Sequence, residues 1–138
     1  MSRKLYPALV LAAALFAAGC DNDVENAPGI TEPAPTTTET FEGTIPVNGA
    51  ATHTFLTVAQ GIVTVSLTEV TPDATIGVGL VLGTWNGVVC QMSLAMDNAV
   101  QGNQLLGTVS GAGSLCVRIH DTGKLAAPLS YKLSVEHP

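Results

Sequence analysis

The sequence has 138 residues, the length of one ordinary domain rather than two. Only 12% of the residues are charged and the formal net charge is −6; beyond the first 20 residues, three basic residues stand against eleven acidic ones. This balance argues against nucleic acid as a partner and against electrostatic docking on anionic lipid. Hydrophobic residues make up 46% and aromatic residues 4%, so Val, Leu, Ile and Ala supply the apolar bulk, as is typical of β-sheet proteins.

The N-terminus has the layout of a secretory signal peptide spanning residues 1–19. A short cationic start precedes an apolar stretch at 5–16, which is shorter than the roughly 20 residues that a membrane-spanning helix needs. The ending AAGC at 17–20 resembles the bacterial lipobox, in which a diacylglycerol is attached to the cysteine and a dedicated peptidase cuts before it. The resemblance implies cleavage between Gly19 and Cys20 and lipidation of Cys20. The alternative is an ordinary signal peptide with an incidental cysteine.

Residues 20–40 predict a mobile linker. This stretch carries five acidic residues and five threonines, together with prolines. Its few apolar side chains cannot offset the entropy lost on ordering, so we expect the segment to stay extended. A proline-rich chain spans about 3.1 Å per residue, and such a linker would lift the following domain a few nanometres from a lipid surface.

Short alternating runs begin at Phe41 and predict β-strands in chain order. The segments EGTIPV and THTFLTV indicate the first two strands, and IVTVSLTEV indicates a third with Val63, Val65 and Leu67 facing the core. In IGVGLVLGTW, alternate residues from Ile76 onward are bulky, while the opposite face is rich in glycine. So many glycines in a strand indicate a bend or a close approach of backbone on that face.

The second half of the domain has the same character. Asn86–Gly87 is a strong hairpin signal because both residues tolerate a positive φ, and VVCQMSLA is the expected return strand. QLLGTV, LCVRIHD and LSYKLSVEH predict three more strands. The last two have inward-facing apolar residues at Leu115, Val117, Ile119, Leu129, Tyr131, Leu133 and Val135. About eight strands, with turns every 8–12 residues and no amphipathic helix, predict an all-β sandwich or a small barrel.

Three segments together resemble the bacterial pre-peptidase C-terminal domain. They are the stretch from Gly43 to Gly83, the segment GSLCVRIHDTG and the segment LSYKLSVEH, and the resemblance covers Glu42 to Glu136. It implies a single antiparallel jelly-roll-like sandwich over residues 41–138, of a kind usually appended to secreted proteases as a non-catalytic module. Members often carry an Asp-rich stretch where this chain has TIGVGLVLG, a departure that argues against a calcium role.

Two cysteines, Cys90 and Cys116, remain once Cys20 is assigned to a lipid anchor. In an oxidising envelope they are expected to pair, closing a loop of about 26 residues and contributing roughly 3–4 kcal/mol in the chain-entropy model. Alternation places Cys116 on the polar side of its strand and Cys90 on the side of Met92. We therefore expect the bond near a sheet edge or a strand end. Two unpaired thiols are the alternative.

The sequence offers no catalytic constellation and no metal-ligand spacing. Its histidines are scattered on strands, where packing or surface roles are commonest: His53, His120 and His137. Three acids fall in predicted loops, where turn formation is a commoner role than calcium binding: Asp73, Asp97 and Asp121. The adjacent side chains of His120 and Asp121 point to opposite faces of a strand and make no dyad. We therefore predict no enzyme, no metal and no cofactor.

Trp85, the only tryptophan, lies beside the predicted hairpin tip. Exposed, its ring would stack on a sugar; buried, it would cap the sandwich, and the low aromatic content favours burial. The sequence thus predicts a non-enzymatic lipoprotein of the bacterial cell envelope, anchored in a membrane and facing the periplasm or the exterior. Its sandwich would be an accessory or binding module for an envelope protein or a polysaccharide. The alternative function is a carbohydrate-binding module that uses Trp85 and adjacent loops.

Overall fold

Alternating apolar and polar residues fold into eight antiparallel strands in the computed structural model, which describes residues 32–138. In chain order they are β1 (Thr37–Ile45), β2 (Ala50–Thr57), β3 (Gln60–Thr71), β4 (Val78–Trp85), β5 (Cys90–Ala99), β6 (Gln104–Ser110), β7 (Gly113–His120) and β8 (Leu129–His137). No helix occurs within this described range. The predicted all-β class and the number of strands are confirmed.

The strands form two four-stranded sheets. The first sheet has the order β1-β8-β3-β6 and the second sheet has the order β2-β7-β4-β5. β1 pairs with β8, β2 with β7, β3 with β6 and β4 with β5, so the chain folds like one long antiparallel ribbon wrapped over itself. The β3–β8 and β4–β7 pairings complete the sheets. This is the order of a jelly roll, which confirms the predicted sandwich.

The core lies between the two sheets and is built from every second residue of the strands. In β3, Val63, Val65 and Leu67 are fully buried, as the alternation predicts. The predicted inward residues of β7 and β8 are also buried: Leu115, Val117, Ile119, Leu129, Tyr131, Leu133 and Val135. Apolar burial of this extent is the dominant force that holds two sheets face to face.

The first strand begins earlier than the alternation from Phe41 suggests. β1 starts at Thr37, four residues upstream. Residues 37–40 continue the antiparallel register against β8, where Thr37 lies opposite His137. The β-branched threonines at the start of β1 favour a strand conformation. β8, at the other end of the sequence, supplies the backbone hydrogen bonds that pair with them.

The Asn86–Gly87 hairpin joins β4 to β5, but its geometry differs from the two-residue turn that the dipeptide predicts. The loop spans residues 86–89, and only Gly87 has a positive φ, at 97°. Asn86 closes the loop through its side chain instead, because its Oδ1 accepts the backbone N–H groups of Val88 and Val89 at 2.9 and 2.8 Å. This Asx-type arrangement satisfies two loop donors with one side chain.

The glycine-rich face of β4 is approached closely by its neighbours, as predicted. A Cβ at Gly83 would collide with the backbone carbonyl oxygen of Gln91, and one at Gly79 would collide with the imidazole of His120. The β4–β5 register shifts between Leu82 and Gly83, which marks a bulge at this point. The start of β5 therefore folds over the outer face of β4.

Candidate functional site

The outer face of the second sheet carries the candidate site. Register places Thr52 of β2 and Val81 of β4 on either side of Arg118 of β7, and Trp85 ends β4. An open groove of about 440 Å³ runs between these elements. We call it the Trp85 groove, defined by its lining residues Thr52, Trp85, Val88, Val89, Cys90 and Arg118.

Trp85 is half-buried and lies outside the core cluster. The expectation that it is buried and caps the sandwich is therefore wrong. The reason is its position in β4. Leu80 and Leu82 face the core, and the odd-numbered residue Trp85 falls on the opposite, outer face. Its indole is therefore partly open to the groove and available to a partner.

Arg118 is exposed on the same face. Within residues 32–138, ion pairs join Lys132 to Glu42 and Glu69, and a hydrogen bond joins His137 to Glu39. The guanidinium of Arg118 is in none of them. An arginine that holds five donors in a planar fork and has no carboxylate of its own is suited to an external carboxylate or to an aromatic face.

The disulfide predicted from the sequence is present between Cys90 and Cys116, whose Cα atoms lie 5.7 Å apart. It links β5 to β7 across the outer face of β4, a crossing made possible by the absence of a side chain at Gly83. Cys90 is the first residue of the edge strand β5, at the strand end where the bond was expected. Cys116 faces outward, yet the bridge and the overlying strand bury it completely.

The loop at residues 86–89 stands at the rim of the groove. Val88 and Val89 are 80% and 53% exposed, and Met92 on the following strand is 67% exposed. The disulfide at Cys90 and the Asn86 side-chain hydrogen bonds fix both ends of this loop. An exposed apolar loop with its ends held in place loses little entropy when it binds a partner.

Two of the three histidines lie where the edge strands β1 and β2 meet. His53 follows Thr52 of the groove along β2, but it faces the opposite, inner side of the sheet. His53 Nε2 lies 2.7 Å from the hydroxyl of Tyr131, and its ring stacks on Phe41 with 4.8 Å between centroids. His137 Nε2 lies 2.9 Å from Oε1 of Glu39. Burial lowers the pKa of His53. These are packing roles, and residues 32–138 contain no group of three His, Cys, Asp or Glu placed to hold a metal.

The third histidine, His120, lies on the outer face of the second sheet over Gly79. Burial lowers its pKa, and the positive charge of Arg118 adds to that effect. The structure therefore brings Trp85 and Arg118 together and keeps His53 and His137 apart from them. Sequence reasoning did not single out Arg118, and the only available signal was that it is the sole arginine beyond the first 20 residues.

The three aspartates weighed as calcium ligands have other surroundings: two accept hydrogen bonds from backbone N–H groups in turns, and the third is exposed on a strand. Asp121 Oδ2 accepts the N–H of Asn48 at 2.8 Å, and its Oδ1 accepts the N–H groups of Gly123, Lys124 and Leu125. These hydrogen bonds lower the pKa of Asp121, with that from Asn48 the largest cause. Asp73 accepts the N–H of Thr75 in the same way, at 2.9 Å, and its pKa is lowered as well. Asp97 is exposed on β5.

The predicted lipidation at Cys20 and cleavage after Gly19 lie outside the described residues, as does the signal peptide at 1–19. Among the residues that are described, no helix is long and apolar enough to cross a membrane.

Comparison with known proteins gives a similarity of fold. No protein-family model matches the sequence, and no curated protein matches it. Among solved structures, the chain is similar to PliG of Aeromonas hydrophila, a periplasmic lysozyme inhibitor of g-type lysozyme. The TM-score is 0.50 at 13% sequence identity, covering 71% of this chain and 83% of that one. At this identity the likeness concerns the fold: an all-β sandwich of a kind also used by a protein of the bacterial envelope.

Proposed function

We propose that this chain is a non-enzymatic binding protein of the bacterial envelope and that it holds a protein partner on the Trp85 groove. The observation that carries the proposal is the placement of Trp85 and Arg118 in one open groove. Tryptophan and arginine are the residues most enriched among binding hot spots, and the exposed valines at 88 and 89 would supply the surrounding apolar contact.

Charge indicates the kind of partner. Residues 32–138 contain eight acidic and three basic residues, so the body of the domain is negative while the groove contains a cation, Arg118. Such a surface fits a partner that is basic overall and presents a carboxylate to the groove, since complementary potentials speed association and exclude wrong partners. Interfaces of this kind gain specificity from one or two centrally placed charges.

The fold likeness to PliG supports one class of partner for the first test. That protein is an inhibitor of g-type lysozyme. An all-β sandwich without catalytic groups can act by binding to the surface of another protein. An enzyme that degrades the cell wall works in the envelope, the compartment proposed for this chain. The resemblance to pre-peptidase C-terminal domains points to the same non-catalytic, accessory kind of role.

The test is calorimetric titration of the purified protein against a g-type lysozyme. We expect binding by the natural sequence and a loss of at least about tenfold in affinity for Trp85→Ala and for Arg118→Ala, which corresponds to about 1.4 kcal/mol. Lys132→Ala is the matched control, because Lys132 is a half-exposed cation outside the groove that pairs with Glu42 and Glu69. Equal affinities for the natural protein and the three variants would show that the partner does not bind in the Trp85 groove.

Carbohydrate binding is the second candidate function. The half-buried indole of Trp85 and the hydroxyl of Thr52 line the same groove, which therefore combines an aromatic face with a polar group, as a sugar ring requires. A glycan array distinguishes the two functions. Signal that disappears with Trp85→Ala, from a protein that does not bind lysozyme, would favour the carbohydrate module.

The proposed location rests on the N-terminal sequence. We propose that residues 1–19 are removed, that Cys20 carries the lipid, and that the segment before β1 tethers the sandwich to a membrane. Each buried acyl methylene contributes about 0.8 kcal/mol, so two or three chains hold a protein durably. Mass spectrometry of protein extracted from membranes tests this directly: the peptide beginning at Cys20 should carry the added lipid mass, and Cys20→Ser should release the protein from the membrane fraction.

A further inference from the structure

The two long sides of the sandwich are closed differently. On one side the edge strands β1 and β2 meet, and the ring of His53 on β2 stacks on Phe41 of β1. β1 also carries Glu39 and Glu42, so this side holds carboxylates. On the opposite side the edge strands β5 and β6 meet, and an apolar cleft of about 260 Å³ opens between the two sheets there. The β5–β6 side therefore closes the core less completely.

β6 is a regular and uncharged edge strand. It pairs with β3 over seven residues without a shift of register, whereas the register of β5 shifts twice against β4. Neither β6 nor the stretch of β3 that pairs with it contains a charged residue or a proline. Within residues 32–138, β3 is the only strand that pairs with β6. Proteins usually protect an edge strand with charges, proline or bulges, so an edge that lacks all three is open to pairing with another strand.

The free backbone groups of β6 follow from its hydrogen bonds to β3. Leu67 of β3 donates to and accepts from the two residues just before β6, at 3.0 and 2.8 Å. Because hydrogen-bonded residues alternate along an antiparallel pair, Gly107 bonds to Val63, and the N–H and C=O groups of Leu106 and Thr108 point away from β3. These groups are the donors and acceptors that an added strand would use.

We propose that the chain forms a symmetric dimer in which β6 pairs antiparallel with β6 of a second copy, with Gly107 opposite Gly107. This register pairs all seven residues of β6 and places Leu106 of each copy opposite Thr108 of the other. The two Leu106 side chains, each 56% exposed in the single chain, become diagonal neighbours. Ile62, which is 59% exposed on the same outer face, flanks them. The first sheets of the two copies join into one continuous sheet of eight strands.

Charge indicates that the occupant is a second copy. Residues 32–138 contain eight acidic and three basic residues, so two copies repel each other except where both are uncharged. β6 meets that condition, whereas pairing through β1 would bring Glu39 and Glu42 of both copies together. The pairing is also isologous, because the same seven residues serve both copies and no further chain can add.

The area of this contact predicts a weak dimer. At ~3.3 Å per residue, β6 is about 23 Å long, and a side two sheets deep is roughly 20 Å thick, which gives roughly 500 Å² per copy. The total of roughly 1,000 Å² is at the lower limit for a specific interface. We therefore expect a dissociation constant on the order of micromolar.

Disulfide trapping of the full-length protein in isolated membranes tests the register. Cα atoms of opposite residues in a hydrogen-bonded antiparallel pair lie about 5.5 Å apart, a separation that a disulfide can bridge. The double variant Leu106→Cys, Thr108→Cys should therefore give a dimer on non-reducing gels. The matched control is Thr38→Cys, Thr40→Cys, two exposed positions of β1 with the same spacing, and it should stay monomeric. Absence of a dimer from the first variant, equal dimer from both, or a crosslink to another protein would overturn the proposal.

Sedimentation equilibrium of the full-length protein in density-matched detergent measures the dimer without added cysteines. The natural protein should dimerise at micromolar concentration, and Leu106→Lys should weaken the dimer at least about tenfold, because two cations become neighbours at the joint. Leu56→Lys is the control, since Leu56 is 67% exposed on β2, at the other side of the sandwich, and it should behave as the natural protein does. A natural protein that stays monomeric, or equal loss in both variants, would contradict the proposal. Trp85→Ala should dimerise normally, so the result is independent of what binds in the Trp85 groove.

Discussion

Arg118 of β7 lies directly opposite Val81 of β4, four residues before Trp85, and Arg118 and Trp85 line the same groove. They share this groove through the pairing of distant strands and the loop at residues 86–89, and not through sequence proximity. Register in a sandwich is fixed by the buried face, since a slip of one residue would turn every core side chain outward. The core thus determines which outward-facing residues share the groove.

Removal of the disulfide should destabilise the fold and weaken the groove together. For a sequence separation of 26 residues, the chain-entropy model gives a loss of about 3–4 kcal/mol in the free energy of unfolding. The double variant Cys90→Ala, Cys116→Ala should show this loss in urea unfolding. The natural protein under reducing conditions is the control and should show the same loss; an unchanged unfolding midpoint in both would contradict the assigned bond.

Gly83→Ala should destabilise the protein by about 1–3 kcal/mol, because the added methyl group meets the carbonyl oxygen of Gln91, a backbone atom that cannot rotate away. Gly111→Ala is the matched control, since nothing lies within 4 Å of a Cβ there and its φ is not positive. Thermal unfolding of the two variants makes the comparison. A loss at Gly111 equal to that at Gly83 would argue against the close crossing of β5 over β4.

Acidification should weaken the fold partly through His53. Burial lowers the pKa of His53 in the folded state below its unfolded value of about 6.5. The unfolded chain therefore binds more protons as pH falls, and stability decreases from pH 7 toward pH 5. His53→Gln should flatten this part of the stability curve. His120, whose pKa is also lowered, leaves a residual slope. An identical pH dependence in His53→Gln would show that the ring is not buried as described.

Asp121 should support the fold at neutral pH and lose that role in acid. Hydrogen bonds from Asn48 and from the loop after β7 lower the pKa of its carboxyl group in the folded state. A lowered pKa contributes stability above the unfolded value of about 3.9, and this contribution disappears as pH falls through the folded value. Asp121→Ala should therefore unfold at a lower temperature than the natural protein at pH 7, and the difference should shrink as pH falls through the folded-state pKa of Asp121. A difference that is constant with pH would point to packing instead of charge.

The strands and the disulfide were predictable from the sequence because both leave local or simple signals. Period-2 alternation marked Val63, Val65 and Leu67 as core residues, and all three are fully buried. With Cys20 assigned to a predicted lipid anchor, the other two cysteines allowed only one pairing, Cys90 with Cys116. Such signals do not depend on knowing which strand lies beside which.

Of the candidate site, the sequence singled out Trp85, but the residues that share its groove were not predictable, because they depend on register between distant segments. His53 contacts Tyr131, 78 residues along the chain, and His137 contacts Glu39, 98 residues away. Likewise, the presence of Arg118 in the groove that Trp85 lines depends on the pairing of β4 with β7, which are distant in sequence. The hairpin loop departs from the predicted two-residue turn for a local reason. The side chain of Asn86 accepts two backbone N–H groups, so the backbone does not need a second positive φ.

Photo-crosslinking at Val88 in intact bacteria shows whether the Trp85 groove holds a protein partner. Val88 is 80% exposed at the rim of the Trp85 groove, so a benzophenone amino acid there would contact whatever occupies it. We expect a discrete crosslink to one envelope protein that disappears in an Arg118→Ala background and persists in a Lys132→Ala background. Crosslinks that persist without Arg118, or that join only glycan or lipid, would contradict the proposed binding of a protein in this groove.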